Sequence, residues 1–499
     1  MTTSTTPRTV ADLMTSPAVT SEATDTLQDA ATRMRQSAVG SVVVVESNRP
    51  VGILTERDLL RAAAAGAEPA TASVGDWMTA RPDTVGPDVE VADAWRSLAS
   101  HGYRHIPVVV ADEAKGVVSM RDLFSVAQLR PVEGAFTDVP RGLKGVVVAE
   151  TSIGDVRGLE GFYHYRQYSA VELATKRTLE DVWFLLHHGH LPDGGELSDF
   201  RAEVSQLRRL PEGVAAVLPD VARVSRRSGP LSGLRSALSL LAAEEGFEPV
   251  LDIDGPTLAG QALRVSAVVP TIVTGLYRAE QGLPAIEPRD DLSYAANYLW
   301  MMNGEEADAA RVRAVEQYLM LTVDHGFNAS TFTARVVAST GADIGAAVVA
   351  AIGALSGPLH GGAPSRALDT LDAIGTPDNA DAWVRRAVAA GDRIMGFGHA
   401  VYRTEDPRSA LLKEVARGFG GDLFDFAEQV ESVVLRVLAE VKPDRVLATN
   451  VEFFAGVVME QCGIPRPMFT PTFACSRAIG WCANIVEQAA DNRIIRPSA

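Results

Sequence analysis

The chain is poor in cysteine, in basic charge and in long apolar runs, and each shortage narrows what it can be. Its three cysteines, Cys462, Cys475 and Cys482, all fall late and lack metal-ligand spacing. They do not make a disulfide framework and read instead as buried free thiols in a reducing compartment. The opening stretch MTTSTTPRTVADLM has no apolar h-region, so it is not a secretory signal. No uninterrupted apolar run reaches the roughly 18–20 residues that a membrane-spanning helix needs. A Gly-x-x-x-x-Gly-Lys-Ser/Thr loop is missing too, which argues against ATP hydrolysis. Against 63 acidic residues stand 46 Lys and Arg, a formal net charge of −17. That balance disfavours nucleic acid and anionic membrane as partners. With 46% hydrophobic and 22% charged residues, the composition is that of an ordinary soluble protein, expected in the cytoplasm. At 499 residues it is too long for one core, and two or more domains are expected.

What is present begins with a repeat. Asp12-Leu13-Met14-Thr15 returns as Asp76-Trp77-Met78-Thr79, and Gly52-Ile53-Leu54-Thr55-Glu56-Arg57-Asp58 as Gly116-Val117-Val118-Ser119-Met120-Arg121-Asp122. Two separate segments share one offset, so the first 130 residues are a duplication, with copies at about 8–66 and 72–130. In each copy an amphipathic helix (26–36; 90–100) precedes a β-branched strand (41–45; 106–110). A second short strand then enters a helix at Thr55 or Ser119. Residues 131–142, PVEGAFTDVPRG, lack periodicity and read as a linker. From 143 to 499 helical periodicity dominates, as in 178–188, 307–323 and 425–441, and β-branched runs become scarce.

The duplicated β-α pattern resembles a tandem pair of CBS domains, which associate side by side and often bind adenine nucleotides between them. That resemblance implies contacts to ATP, ADP or AMP from Thr55, Asp58, Ser119 and Asp122. The hydroxyl would meet phosphate and the aspartate the ribose. The same residues also make ordinary helix N-caps, a hydroxyl followed by an acid in the first turn, and a front pair used only for dimerisation competes with nucleotide sensing.

The longer segment carries Gly396-Phe397-Gly398-His399-Ala400-Val401-Tyr402-Arg403-Thr404-Glu405-Asp406-Pro407-Arg408 and Ser356-Gly357-Pro358-Leu359-His360-Gly361-Gly362. These motifs closely resemble the citrate synthase family. The implied architecture is multidomain: an α/β CBS pair, then a mostly α-helical fold with a large domain and a smaller mobile one at about 361–456. The implied reaction condenses acetyl-CoA with oxaloacetate to citrate and CoA, needing no cofactor and no metal beyond the coenzyme A thioester substrate. Such chemistry requires a base beside the thioester, a donor for the developing oxyanion and cations for the keto acid.

His360 would be the neutral donor, kept uncharged by the dipole of the helix that follows it. His399 would polarise the keto carbonyl, and Arg408 would bind a carboxylate bidentately. The base would be Glu452, in Asn450-Val451-Glu452-Phe453-Phe454, where the family keeps Asn-Val-Asp-aromatic; glutamate lengthens the arm by one methylene. His325 and Arg477 match further oxaloacetate contacts, and Arg496 matches an arginine supplied by a neighbouring subunit, which implies a homo-oligomer of at least two chains. Coenzyme A would lie against Ile394, Met395 and Gly396, with Arg403 near a phosphate and Asn450 near the pantetheine arm. A 2-methylcitrate synthase using propionyl-CoA is the nearest alternative, and a catalytically weak nucleotide sensor a more distant one.

Overall fold

In the computed structural model, which describes residues 9–37, 39–91, 93–94, 105–119, 122, 143, 146–157, 161–357, 360–361, 363–392, 394–398, 406–442 and 447–496, the chain separates into two units, Met1–Val146 and Val147–Ala499. The linker assigned to residues 131–142 lies outside the described residues, as does most of the helix expected at 90–100.

The 64-residue offset of the first unit reappears contact by contact. Strands Ser41–Glu46 and Arg49–Thr55 pair antiparallel, as do His105–Val110 and Glu113–Ser119. Each hairpin turns on two residues of positive φ, Ser47-Asn48 and Ala111-Asp112, the geometry of a two-residue turn that matches strand twist. Each carries a register shift at the same place, Val44/Val45 and Val108/Val109. The copies also exchange their leading segments. Thr79 pairs with Ile53 of the first copy, and Thr15 pairs with Val117 of the second.

This exchange explains why two sequence segments repeat together. A Cβ on Gly52 would lie 2.2 Å from Met78 Sδ, and one on Gly116 would lie 2.9 Å from Met14 Sδ. The methionine of each copy therefore covers the glycine of the other. Helices Leu27–Ser37 and Glu56–Ala64 pack on the first sheet around Leu27, Ala30, Met34, Val42, Val44 and Leu54.

The second unit opens with a three-stranded antiparallel sheet, Gly154–Arg157, Phe162–Tyr165 and Tyr168–Ser169, and continues as helices. The stretches expected to be helical are Leu179–His188, Ala309–Thr322 and Asp422–Val441. The first is capped by Thr178, whose hydroxyl donates to the Asp181 carboxylate at 2.6 Å. Helix Gly255–Glu280 is long and apolar enough by composition to cross a membrane, but 78% of its most apolar window is buried inside the protein. It packs lengthwise on helix Phe469–Ala490, so its apolarity serves the core. The three cysteines are free and buried.

Candidate active site

A cavity of about 1330 Å³ opens in the second unit. Its lining brings together His325, His360, Arg408, Glu452 and Arg477, residues far apart in sequence, along with Ile394, Met395, Gly396 and Asn450. His399 and Arg403 lie outside the described residues. Arg496 is exposed near the end of the chain and does not line this cavity.

Glu452 stands in the first turn of helix Val451–Gln461. Asn450 caps that helix: its Oδ1 accepts from Glu452 N at 3.0 Å. Its Nδ2 donates to Gly398 O at 3.0 Å, and its backbone N donates to Gly396 O at 2.9 Å. Much of the Asn450 side chain is thus spent on holding backbone. Gly396 has φ +89, and a Cβ there would meet the Phe453 ring at 2.9 Å, so only glycine lets the two segments lie this close. Val451 N donates to Asp406 Oδ2 at 3.2 Å. With its backbone pinned from several sides, Glu452 extends a buried carboxyl whose pKa rises to about 7. Burial is the main cause; the Arg408 charge pulls it down and the Asp406 charge pushes it up. A carboxylate tuned near neutrality suits proton removal from carbon.

His360 follows a short turn, its backbone N donating to Gly357 O at 3.0 Å. Its Nε2 lies 2.8 Å from Ser330 Oγ. Ser330 Oγ is also 2.8 Å from Asn328 Oδ1 and accepts from Trp481 Nε1 at 3.2 Å. The histidine pKa falls to about 4, first by burial and then by the Arg477 charge. The expected cause was the dipole of the following helix, which does begin at Ala363. Burial and the Arg477 charge also keep the ring neutral, desolvation disfavouring imidazolium directly.

Arg408 is buried in the first turn of helix Pro407–Phe419. Its Nε and Nη2 donate to the two carboxylate oxygens of Asp406, at 3.0 and 2.8 Å. The bidentate geometry foreseen for a substrate carboxylate is, on this edge of the guanidinium, made with Asp406. Arg477, buried on helix Phe469–Ala490, donates from Nε to Thr322 O at 2.8 Å and stacks 4.7 Å from the Phe473 ring. His325 sits on the turn after helix Ala309–Thr322, beside the buried carboxyl of Asp324. Asp324 accepts from Gly326 N at 2.9 Å and from Asn484 Nδ2 at 3.1 Å.

Ser330, Asp324 and Asp406 were not singled out by the sequence. Asp406 carried the clearest signal, an N-cap acid immediately before Pro407. Ser330 had none beyond its place two residues after the capping Asn328, since its partner His360 comes from a distant helix end.

In the first unit, the Thr55 N–H and hydroxyl donate to Asp58 Oδ2 at 2.9 and 2.8 Å. Those of Ser119 donate to Asp122 Oδ2 at 2.9 and 2.6 Å. Thr178 and Asp181 make the same box in the second unit, so this geometry by itself marks a helix start rather than a ligand. Arg61 adds a 3.2 Å ion pair to Asp58.

Comparison with known proteins agrees across both units. The family model for the citrate synthase C-terminal domain matches residues 142–498, and that for the CBS domain matches 10–65 and 74–128. The chain is 37% identical over 366 residues to the citrate synthase of Haloferax volcanii, spanning 72% of this chain and 95% of that protein. It is 40% identical over 361 residues to the 2-methylcitrate synthase of Mycobacterium tuberculosis, spanning 72% and 89%. Among solved structures, the citrate synthase of Pyrobaculum aerophilum aligns with a TM-score of 0.66 at 37% identity, covering 72% of this chain and 91% of that one. A ternary complex of the Thermoplasma acidophilum citrate synthase with carboxymethyl coenzyme A and oxaloacetate aligns with a TM-score of 0.68 at 28% identity, covering 72% and 95%.

Proposed function

The chain belongs to the citrate synthase family of acyltransferases and carries a tandem CBS pair at its front, and from that premise we propose that it condenses acetyl-CoA with oxaloacetate under the control of an adenine nucleotide. One observation carries the reading: a carboxyl with its pKa raised to about 7 shares a cavity with a neutral histidine and two buried arginines.

Glu452 as carboxylate takes a proton from the carbon next to the thioester carbonyl, and the electron pair moves onto the thioester oxygen. His360 donates a hydrogen bond to that oxygen. Because its Nε2 faces Ser330, the donating nitrogen must be Nδ1, and Nε2 must then accept from the Ser330 hydroxyl. Ser330 has one proton to give. Asn328 Oδ1, its other acceptor, already takes N–H groups from Ser330 and Thr331 at 3.2 and 3.1 Å, which favours delivery to the histidine. The carbon nucleophile attacks the keto carbonyl of oxaloacetate, held by His325, Arg408 and Arg477 and polarised by His399. His399 gives that carbonyl oxygen a proton as the carbon–carbon bond forms, and the proton held by Glu452 returns to His399 through solvent. Water then cleaves the thioester of citryl-CoA, its oxygen going to the new carboxylate and a proton to the CoA sulfur.

Ile394, Met395 and Gly396, with Arg403 and Asn450, receive coenzyme A, while the segment 361–456 closes over the site and excludes water. Arg496 completes the site of a second copy, so the working form is a homo-oligomer of at least two chains. No cofactor or metal enters the scheme, and the enzyme works in the cytoplasm.

A second acyl donor is also supported. The 2-methylcitrate synthase relative matches over the same share of the chain as the citrate synthases do. One methylene is worth only ~10–200-fold in an apolar pocket. The test is thiol release from acetyl-CoA and propionyl-CoA with oxaloacetate, each repeated with ATP, ADP and AMP. Oxaloacetate-dependent release altered by a nucleotide supports both halves. Release indifferent to nucleotides leaves the front pair as a scaffold, and silence throughout points to a sensor that kept the fold.

A further inference from the structure

Strand Phe162–Tyr165 alternates faces, and its two tyrosines point inward, fully buried. Their hydroxyls meet carbonyls at the end of helix Ala309–Thr322 and on the turn that follows it. Tyr165 donates to Met320 O at 2.7 Å, while Tyr163 donates to Asp324 O and lies 3.1 Å from Leu321 O. Tyr163 thereby fastens the turn that carries His325, whose ring centroid is 5.2 Å from its own. The Arg408 guanidinium sits 5.5 Å from the centre of the same ring, in the range where a cation is attracted to an aromatic ring. Arg408 belongs to a different helix, Pro407–Phe419, and is also held by Asp406 on its own turn. One ring thus lies against two groups that line the cavity from separate segments of the unit.

We propose that Tyr163 is a positioning residue that sets the spacing between His325 and Arg408, and so the affinity for the dicarboxylic keto acid. The inference rests on the function proposed above. It gives the strand a role in substrate selection although the tyrosine itself does not line the cavity. The ring carries the effect. Tyr165 also holds the turn, donating to Met320 O at 2.7 Å and accepting from Asp324 N at 3.4 Å, so loss of the Tyr163 hydroxyl alone leaves the turn fastened and the two parts are separable by substitution.

The experiment compares wild type with Tyr163→Phe and Tyr163→Leu in the full chain, reading KM for each substrate and kcat. Oxaloacetate binding without acyl-CoA is titrated calorimetrically, and melting checks that each variant is folded. Tyr163→Leu should raise the oxaloacetate KM and dissociation constant about tenfold and leave the acetyl-CoA KM within about twofold. Tyr163→Phe, which keeps the ring, should stay within about threefold of wild type for both. Should Tyr163→Leu fail to fold, Tyr163→Met takes its place at similar bulk and is expected to show the same split. Unchanged oxaloacetate affinity in the ringless variant, or equal loss in the phenylalanine variant, overturns the proposal while the proposed reaction stands. Wild-type protein that neither binds nor consumes oxaloacetate overturns both.

Discussion

At the scale of single residues, Glu452 is the proposed base and its electrostatics can be read out. His360 stays neutral down to about pH 4 while Glu452 ionises near 7, so the acid limb of kcat/KM against pH should fall near 7 and belong to the glutamate. Glu452→Gln should lower kcat by about 10²–10⁴-fold. It should also stabilise the protein. The unfolded carboxyl ionises near its ordinary 4.5 and the folded one near 7. Between those values the folded state holds the extra proton, so stability falls as pH rises through the interval. Glutamine removes a penalty of at most about 3 kcal/mol at pH 8. Melting curves at pH 5 and pH 8 should show the variant's advantage only at the higher pH; an advantage at both would mean that burial of charge is not its origin. Glu452→Asp should keep turnover well above that of Glu452→Gln, and an equal fall would show that the site depends on reach, since the pinned backbone cannot follow a shorter arm.

Secondary-structure elements set where these side chains can meet, and here one glycine matters. A Cβ on Gly480 would lie 2.0 Å from Val323 O, a backbone atom that cannot turn aside. Helix Phe469–Ala490 is therefore in direct backbone contact with the turn before His325, one turn along from Arg477. Gly480→Ala should destabilise by about 1–3 kcal/mol. It should also raise the oxaloacetate KM more than the acyl-CoA KM, because Arg477 and His325 separate first; steady-state kinetics with both substrates varied checks this.

The helices were legible from the 3.6-residue period, and the duplication from its constant offset, because Met14, Met78, Gly52 and Gly116 are held by reciprocal contacts. The site was legible as motifs but not as partners. Nothing near Arg408 in sequence foretells the Tyr163 ring, and nothing near His360 foretells Ser330 or the burial that keeps the ring neutral. Sequence spacing carries local geometry, whereas these contacts come from helices brought together by the core.

For the whole molecule, the front pair and the catalytic unit should be separable in function. A nucleotide that binds the folded chain at a hundred times its dissociation constant should stabilise it by about 2.7 kcal/mol. That melting shift and the change in thiol release should both vanish in Asp58→Ala/Asp122→Ala. Basal turnover should remain within about twofold, since neither aspartate belongs to the unit that holds the cavity. A basal rate that collapses with the nucleotide response would mean the front pair is needed for catalysis itself.

The reciprocal pairing of the two copies also has a consequence for synthesis. The first sheet lacks its edge until Thr79 and Ala80 have left the ribosome, and Thr15, made long before, waits for Val117. Thr79 follows the end of strand Arg49–Thr55 by 24 residues, so at about 5–20 residues per second that strand's edge has a wait of roughly 1–5 seconds. During it the nascent first copy exposes an open strand edge that a neighbouring nascent chain on the same message could fill.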